Sequence, residues 1–241
     1  MSKPALTPGR DQARSTVLVV AAHPDDEVLG CGGTIARFAA EGSEVHVLLL
    51  ADGETSRRTG SGVAVTPPSV EARNAACEAA RVILAYATVE ALGLPDQRLD
   101  SLELLDIVQR VEEVIKRRRP AVVLTHHAGD VNLDHRIVHD AVVTACRPQP
   151  GHSVRQLLFF EVPSSTEWRP PCSAQPFSPN WFLDISATLT TKIRALQAYG
   201  RELRGFPHAR SLEAIEALAR WRGASVGVGA AEAFMLGRSV L

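Results

Sequence analysis

Val17-Leu18-Val19-Val20-Ala21-Ala22-His23-Pro24-Asp25-Asp26-Glu27 sets a short apolar run directly before an imidazole and three carboxylates. A run of this kind reads as a buried strand that delivers polar side chains at its carboxyl end, where open α/β sheets place their active sites. His23 and Asp26 offer the nitrogen and oxygen donors that suit Zn²⁺. Asp25 is left free to move protons.

Working outward, apolar runs and helical periodicities alternate along the chain. The pattern predicts strands over residues 17–22, 44–51, 88–92, 121–125, 156–161, 181–184 and 232–236. It predicts helices over 30–40, 69–84, 101–119, 136–146, 188–201 and 211–222. Such alternation specifies an α/β fold, a Rossmann-like mostly parallel sheet with helices on both faces. A dinucleotide site is excluded at the first strand-to-helix turn. Gly30, Gly32 and Gly33 come too late for a phosphate-binding fingerprint, and acidic groups stand where phosphates would lie. The expected organisation is a polar leader over 1–14 followed by a single domain over 15–241. Two long polar loops, 52–68 and 162–179, are expected to shape the substrate entrance.

Composition narrows the class. With 241 residues, 45% hydrophobic and 22% charged, the chain is long enough for one large domain with a sizeable core. A formal charge of −1 provides no field for nucleic acid, so none is expected as a partner. The basic cluster Lys116 to Arg119 ends a helical pattern before Pro120, where positive side chains complement the helix dipole. Cys31, Cys77, Cys146 and Cys172 are widely spaced and form no C-x-x-C pair, which argues against structural disulfides. Without an apolar stretch of membrane-spanning or signal-peptide length, no membrane span is expected and a cytoplasmic location follows by default. A homo-oligomer is compatible with all of this.

Two ligands leave a catalytic zinc site one short. The polar stretch His126 to His135, after the expected 121–125 strand, is the place for the third. Among His126, His127, His135 and His139, His135 is preferred, because it follows Asp134 at a helix start and can point back across the sheet edge. Asp134 is then placed to orient that ligand or to bind substrate. His139 lies one turn beyond His135, but Arg136 occupies the position of the glutamate base in an H-E-x-x-H motif. His139 therefore reads as a supporting or structural residue. A structural metal site would not need Asp25 beside an open position.

These residues resemble the zinc-dependent deacetylases related to LmbE and to the phosphatidylinositol-glycan class L enzymes, which act on N-acetylglucosaminyl substrates. The run Ala22 to Glu27 is similar to the family's first motif, and Asp134-His135, preceded by Asp130 and Asn132, is similar to the second. The resemblance implies one Zn²⁺ per chain, with another divalent transition metal as an alternative, held by His23, Asp26 and His135. It implies Asp25 as general base in removing the N-acetyl group from an amino sugar or its conjugate. The chemistry fits equally an amidase for a larger acyl group, and an inactive sugar-binding protein is a third reading. It further points to Arg73 and Asp96 as contacts to sugar hydroxyls, against the plainer readings of a salt-bridged helix face and a turn at Pro95. Glu27 is expected either behind the ligands or as an electrostatic cap of the following helix. Many members carry a histidine at the position of Asn132, where it aids the oxyanion or the leaving group. Asparagine cannot act as a general acid, but its amide can still donate a hydrogen bond to an oxyanion, and His127 or His139 could provide an imidazole from another angle.

Overall fold

The first strand, β1 (Thr16–Ala21), is entirely apolar after Thr16, and successive side chains serve two different cores. Val17, Val19 and Ala21 face one cluster, while Leu18, Val20 and Ala22 face the other. A strand buried on both sides must lie inside a sheet covered by two helical layers. The computed structural model, which describes residues 15–56, 67–170 and 175–241, has this arrangement. The expected leader and the 57–66 part of the first long loop lie outside the described residues.

The elements follow as α1 (Asp26–Ala40), β2 (Glu44–Ala51), α2 (Pro67–Leu84), β3 (Thr88–Leu94), α3 (Leu104–Arg118) and β4 (Val122–His126). Next come α4 (Leu133–Ala145), β5 (Gln156–Phe160), β6 (Trp181–Asp184), α5 (Leu189–Ala198), α6 (Leu212–Ala224) and β7 (Ala231–Ser239). The sheet order is β3-β2-β1-β4-β5-β7-β6. β1 to β5 are mutually parallel, and β7 runs antiparallel to both of its neighbours. One core packs α1, α2 and α5 against the sheet; the other packs α3 and α4. The fold class expected from the sequence is therefore the one present. The helices that start earliest relative to expectation are α1 and α4, which begin at Asp26 and Leu133, ahead of the expected residues 30 and 136, whereas α3 begins at Leu104, three residues after the expected 101. Polar first turns hide the helical period of α1 and α4, because the side chains serve the site and not a core.

The chain winds from β1 outward to β3, then returns through α3 to place β4 on the opposite side of β1. The carboxyl ends of β1 and β4 thus form the switch point of the sheet, where a crevice opens in this architecture. Gly30 lets α1 sit close over the sheet, since a Cβ there would meet the Phe160 ring at 2.3 Å. Helix α1 is also broken at Cys31, whose φ and ψ are −148° and 26°. The Glu232 carboxylate from β7 accepts the amides of Gly33 (3.0 Å) and Thr34 (2.7 Å) just past this break. Buried Lys192 pairs with Glu232 at 2.6 Å and donates to the Leu29 carbonyl at 2.9 Å. The short first segment of α1 is therefore anchored from behind.

Candidate active site

The turn between β1 and α1 is held by its own side chains. Asp26 Oδ2 accepts the His23 amide at 2.9 Å, and Glu27 Oε2 accepts the Asp25 amide at 3.0 Å. Asp25 lies at φ 119°, a region that L-residues enter only at an energetic cost. As a result, adjacent carboxylates have different partners. Asp26 Oδ2 stands 3.2 Å from His23 Nδ1 and 3.1 Å from His135 Nε2, whereas Asp25 Oδ2 accepts from Arg210 Nη1 at 3.0 Å. Glu27 is fully buried and accepts the Tyr199 hydroxyl at 2.7 Å. Its place is behind the turn, where it fixes the Asp25 backbone.

The second arm comes from β4 and α4. Asn132 caps α4, its side chain accepting the Asp134 amide at 2.9 Å. Successive residues of a helix point about 100° apart, so Asp134 and His135 diverge. Asp134 Oδ2 meets His23 Nε2 at 3.0 Å and also accepts the Gln97 amide. The carboxylate that meets His135 is Asp130, 3.2 Å from Nδ1, and not its sequence neighbour Asp134. Asp130 is itself held by the hydroxyls of Ser165 and Thr166. His126 stacks on His135 with ring centroids 3.9 Å apart, and its Nε2 accepts the Ala22 amide at 2.8 Å, tying the two arms together.

Electrostatics divides these groups. Burial works to lower the His135 pKa, but Asp26 and Asp130 outweigh it and raise it to about 9. Asp130 is pulled down to about 2 by His135 and the two hydroxyls, against the opposing effect of its burial. His126 is pushed down by burial and by its His135 neighbour, and stays neutral. Burial raises Asp25 to about 6, with Arg210 opposing the rise. Burial likewise raises Glu27 to about 7, with the Tyr199 hydrogen bond opposing.

The triad His23, Asp26 and His135 is fully formed, with one donor atom from each within 4.8 Å of the others. Asp26 Oδ1 is buried without a hydrogen-bond partner among the described residues, and His135 Nε2, equally buried, faces the Asp26 carboxylate at 3.1 Å without a well-aligned hydrogen bond. An orphaned buried polar atom costs about 1–3 kcal/mol, and the unpartnered Asp26 Oδ1 within this group fits a bound cation. Two imidazoles and one carboxylate form a donor set suited to zinc, with carboxylates supporting both rings from outside as metal-bound histidines require.

The cleft over the triad is lined by His23, Asp25, Arg73, Asp96, Asn132 and Arg210, among others. Arg73 is buried, bonded to Glu54 (2.9 Å), Glu202 (2.8 Å) and the Pro24 carbonyl (2.9 Å), so the salt-bridged reading describes it and it braces the motif turn. Asp96 Oδ1 lies 3.0 Å from His23 Nε2, and Asp96 Oδ2 accepts the Ser56 hydroxyl. His127 bonds the Gln175 carbonyl and packs on Phe177, while His139 bonds the His126 carbonyl; both stand outside the cleft lining. Sequence reasoning passed over Arg210, Glu202 and Tyr199, and left His126 as an unchosen candidate. Only His126 carried a signal, as the last residue of an apolar strand.

A doubly wound α/β sheet with a buried His-Asp-His triad at its switch point, and a separate carboxylate beside it, defines a class of protein that could hold a metal ion there. The chain belongs to the PIG-L family, GlcNAc-PI de-N-acetylase, which matches residues 18–146. It is 28% identical to a 1D-myo-inositol 2-acetamido-2-deoxy-alpha-D-glucopyranoside deacetylase from Rhodococcus erythropolis, over 78% of this chain and 81% of that protein. It is 30% identical to 4-oxalmesaconate hydratase from Pseudomonas putida, over 76% of this chain and 72% of that protein. Among solved structures, the conserved protein TT1542 from Thermus thermophilus superposes with a TM-score of 0.72 at 31% identity, covering 94% of this chain and 96% of that one.

Proposed function

We propose that this chain is a zinc-dependent hydrolase that removes the N-acetyl group from an N-acetylglucosamine-type amino sugar or its conjugate. His23, Asp26 and His135 would hold the metal. When bound, the metal lowers the pKa of a coordinated water and polarises the amide carbonyl. Asp25 is the group that accepts the proton as the water oxygen bonds to the carbonyl carbon. A pKa near 6 suits a base that must be ionised at neutral pH and still hold a proton briefly. Asp25 then returns that proton to the nitrogen as the C–N bond breaks, leaving acetate and a free amine. Asp130 and Asp134 keep the two imidazoles oriented throughout, each from the side away from Asp26.

The observation that carries this reading is the divergence of Asp25 from Asp26. One carboxylate joins the triad, and its neighbour lies in the cleft outside it. The deacetylase relative supports the amide substrate. The hydratase likeness, at 30% identity, favours a second reading in which the same base serves water addition to an unsaturated carboxylic acid. A mass-spectrometric screen tests both. Loss of an acetyl group from N-acetylated sugars or nucleotide sugars is expected, with about one zinc per chain for a single three-ligand site. A gain of one water by an unsaturated acid, with no acetate released from any amide, would overturn the deacetylase reading. Release of a longer acid in preference to acetate would point to the wider amidase.

A further inference from the structure

Asn132 lines the cleft. Here the Asn132 side-chain oxygen is committed to capping α4, and what remains is a neutral amide. A full positive charge stands on the same cleft, from a different part of the chain. Arg210 follows the loop after α5 and immediately precedes Ser211, the N-cap of α6. Its Nε donates to Ser164 Oγ at 2.7 Å and its Nη1 to Asp25 Oδ2 at 3.0 Å.

Two bonds fix the plane of the guanidinium, and the third nitrogen shares that plane. Nη2 makes no hydrogen bond among the described residues, and the Arg210 side chain is 22% exposed where it lines the cleft with His23 and Asp25. Arg73, the other guanidinium on the cleft, differs in both respects. Each of its three nitrogens is bonded to protein, and its side chain is 5% exposed. Arg210 thus has a donor to give; Arg73 braces the wall.

We propose that Arg210 is a catalytic residue, its Nη2 donating to the acyl oxygen as that oxygen gains negative charge during attack by water. This rests on the deacetylase reading and adds to it a charged donor on a cleft where Asn132 offers only a neutral amide. Arg210 stays protonated from start to finish, so the proton still passes from water to Asp25 and from Asp25 to the leaving nitrogen. A cationic donor aimed at developing charge in a shielded site is worth more than one in water, because no solvent must reorganise around it.

The test uses the zinc-loaded full chain and two readouts. Removing one such donor lowers kcat by about 10²–10³-fold, and Arg210→Gln is expected to fall in that range with KM and zinc content little changed. Arg220→Ala, on the exposed face of α6, serves as the control. Added guanidinium ion is expected to restore part of the lost rate to Arg210→Ala and none to the control. Should the glutamine variant fail to fold, Arg210→Met carries the same measurement. A kcat equal to that of the unaltered chain would overturn the proposal.

The second readout is acetate binding, followed by NMR titration in a double-mutant cycle with Asp25→Asn. A roughly tenfold weakening by Arg210→Gln that persists in the Asp25→Asn background means that Arg210 touches the oxygen directly. A weakening that vanishes there means that Arg210 acts only through Asp25, and the proposal fails. If the unaltered chain releases no acetate from any amide, the deacetylase reading falls, while the acetate cycle still decides what Arg210 contacts.

Discussion

Two regions meet at Asp25 and are built in opposite ways. The turn from His23 to Glu27 is buried, its backbone amides are held within three residues or from the tip of the neighbouring strand, and Arg73 and Tyr199 brace it from inside the core. The loop after α5 reaches Asp25 with a single side chain, Arg210, fixed by two hydrogen bonds and partly open to solvent. The difference teaches where each property of the site resides. Placement of the triad belongs to strand tips inside a closed core, whereas the positive charge beside Asp25 comes from irregular chain that can change without moving the triad.

If that separation is real, replacing the base should leave the triad alone. Asp25→Asn is expected to lower kcat by about 10²–10⁴-fold while zinc content, measured by elemental analysis, stays at the level of the unaltered chain. Zinc lost together with turnover would mean that the two regions are one. Next in size, Asp130→Asn removes the carboxylate behind His135 and is expected to weaken zinc affinity by about 10–100-fold in a chelator competition. Unchanged affinity would show that the His126 stack suffices to hold the ring.

A pH dependence sharpens the comparison further. In metal-free protein the His135 pKa is raised to about 9, against an ordinary value near 6.5. The stabilisation that Asp26 and Asp130 give to protonated His135 is complete below the ordinary value and is lost as pH climbs through 9. Denaturant unfolding of metal-free protein should therefore show stability declining between about pH 6.5 and 9, and the zinc-loaded protein should not share that decline. The smallest effect is expected at the α4 cap. Asn132→Ala should cost about 1 kcal/mol, or about 2–4 °C in Tm. A cost near zero would mean that the Asn132 contact to the Asp134 amide is not holding the second arm.

Much of this architecture was legible because it is periodic or contiguous. The apolar runs at β1, β2 and β4 and the amphipathic α3 gave the alternation from which a parallel sheet follows, and the bounds of β2 and β6 agree to the residue. The triad was legible because its members end strands or begin helices. What escaped was contact between distant, aperiodic segments. Asp134 sits beside His135 in the chain but serves His23, because a helix turns adjacent side chains apart. Arg210 and Tyr199 lie 185 and 172 residues from Asp25 and Glu27, which they touch, Glu202 lies 129 residues from Arg73, and no local pattern marks such meetings.

The Glu232 anchor has a consequence for how the protein is made. The amide of Gly33 waits for a carboxylate 199 residues further along the chain, on the last strand. At synthesis rates of about 5–20 residues per second, roughly 10–40 s separate the two. For most of that interval the broken helix bearing Asp26 has neither its anchor nor the Lys192 bond to Leu29, so the nascent chain carries a motif turn that is not yet set. Metal loading should then follow the making of β7, and a chain cut before β7 should be made, collapse around β1, and hold zinc poorly.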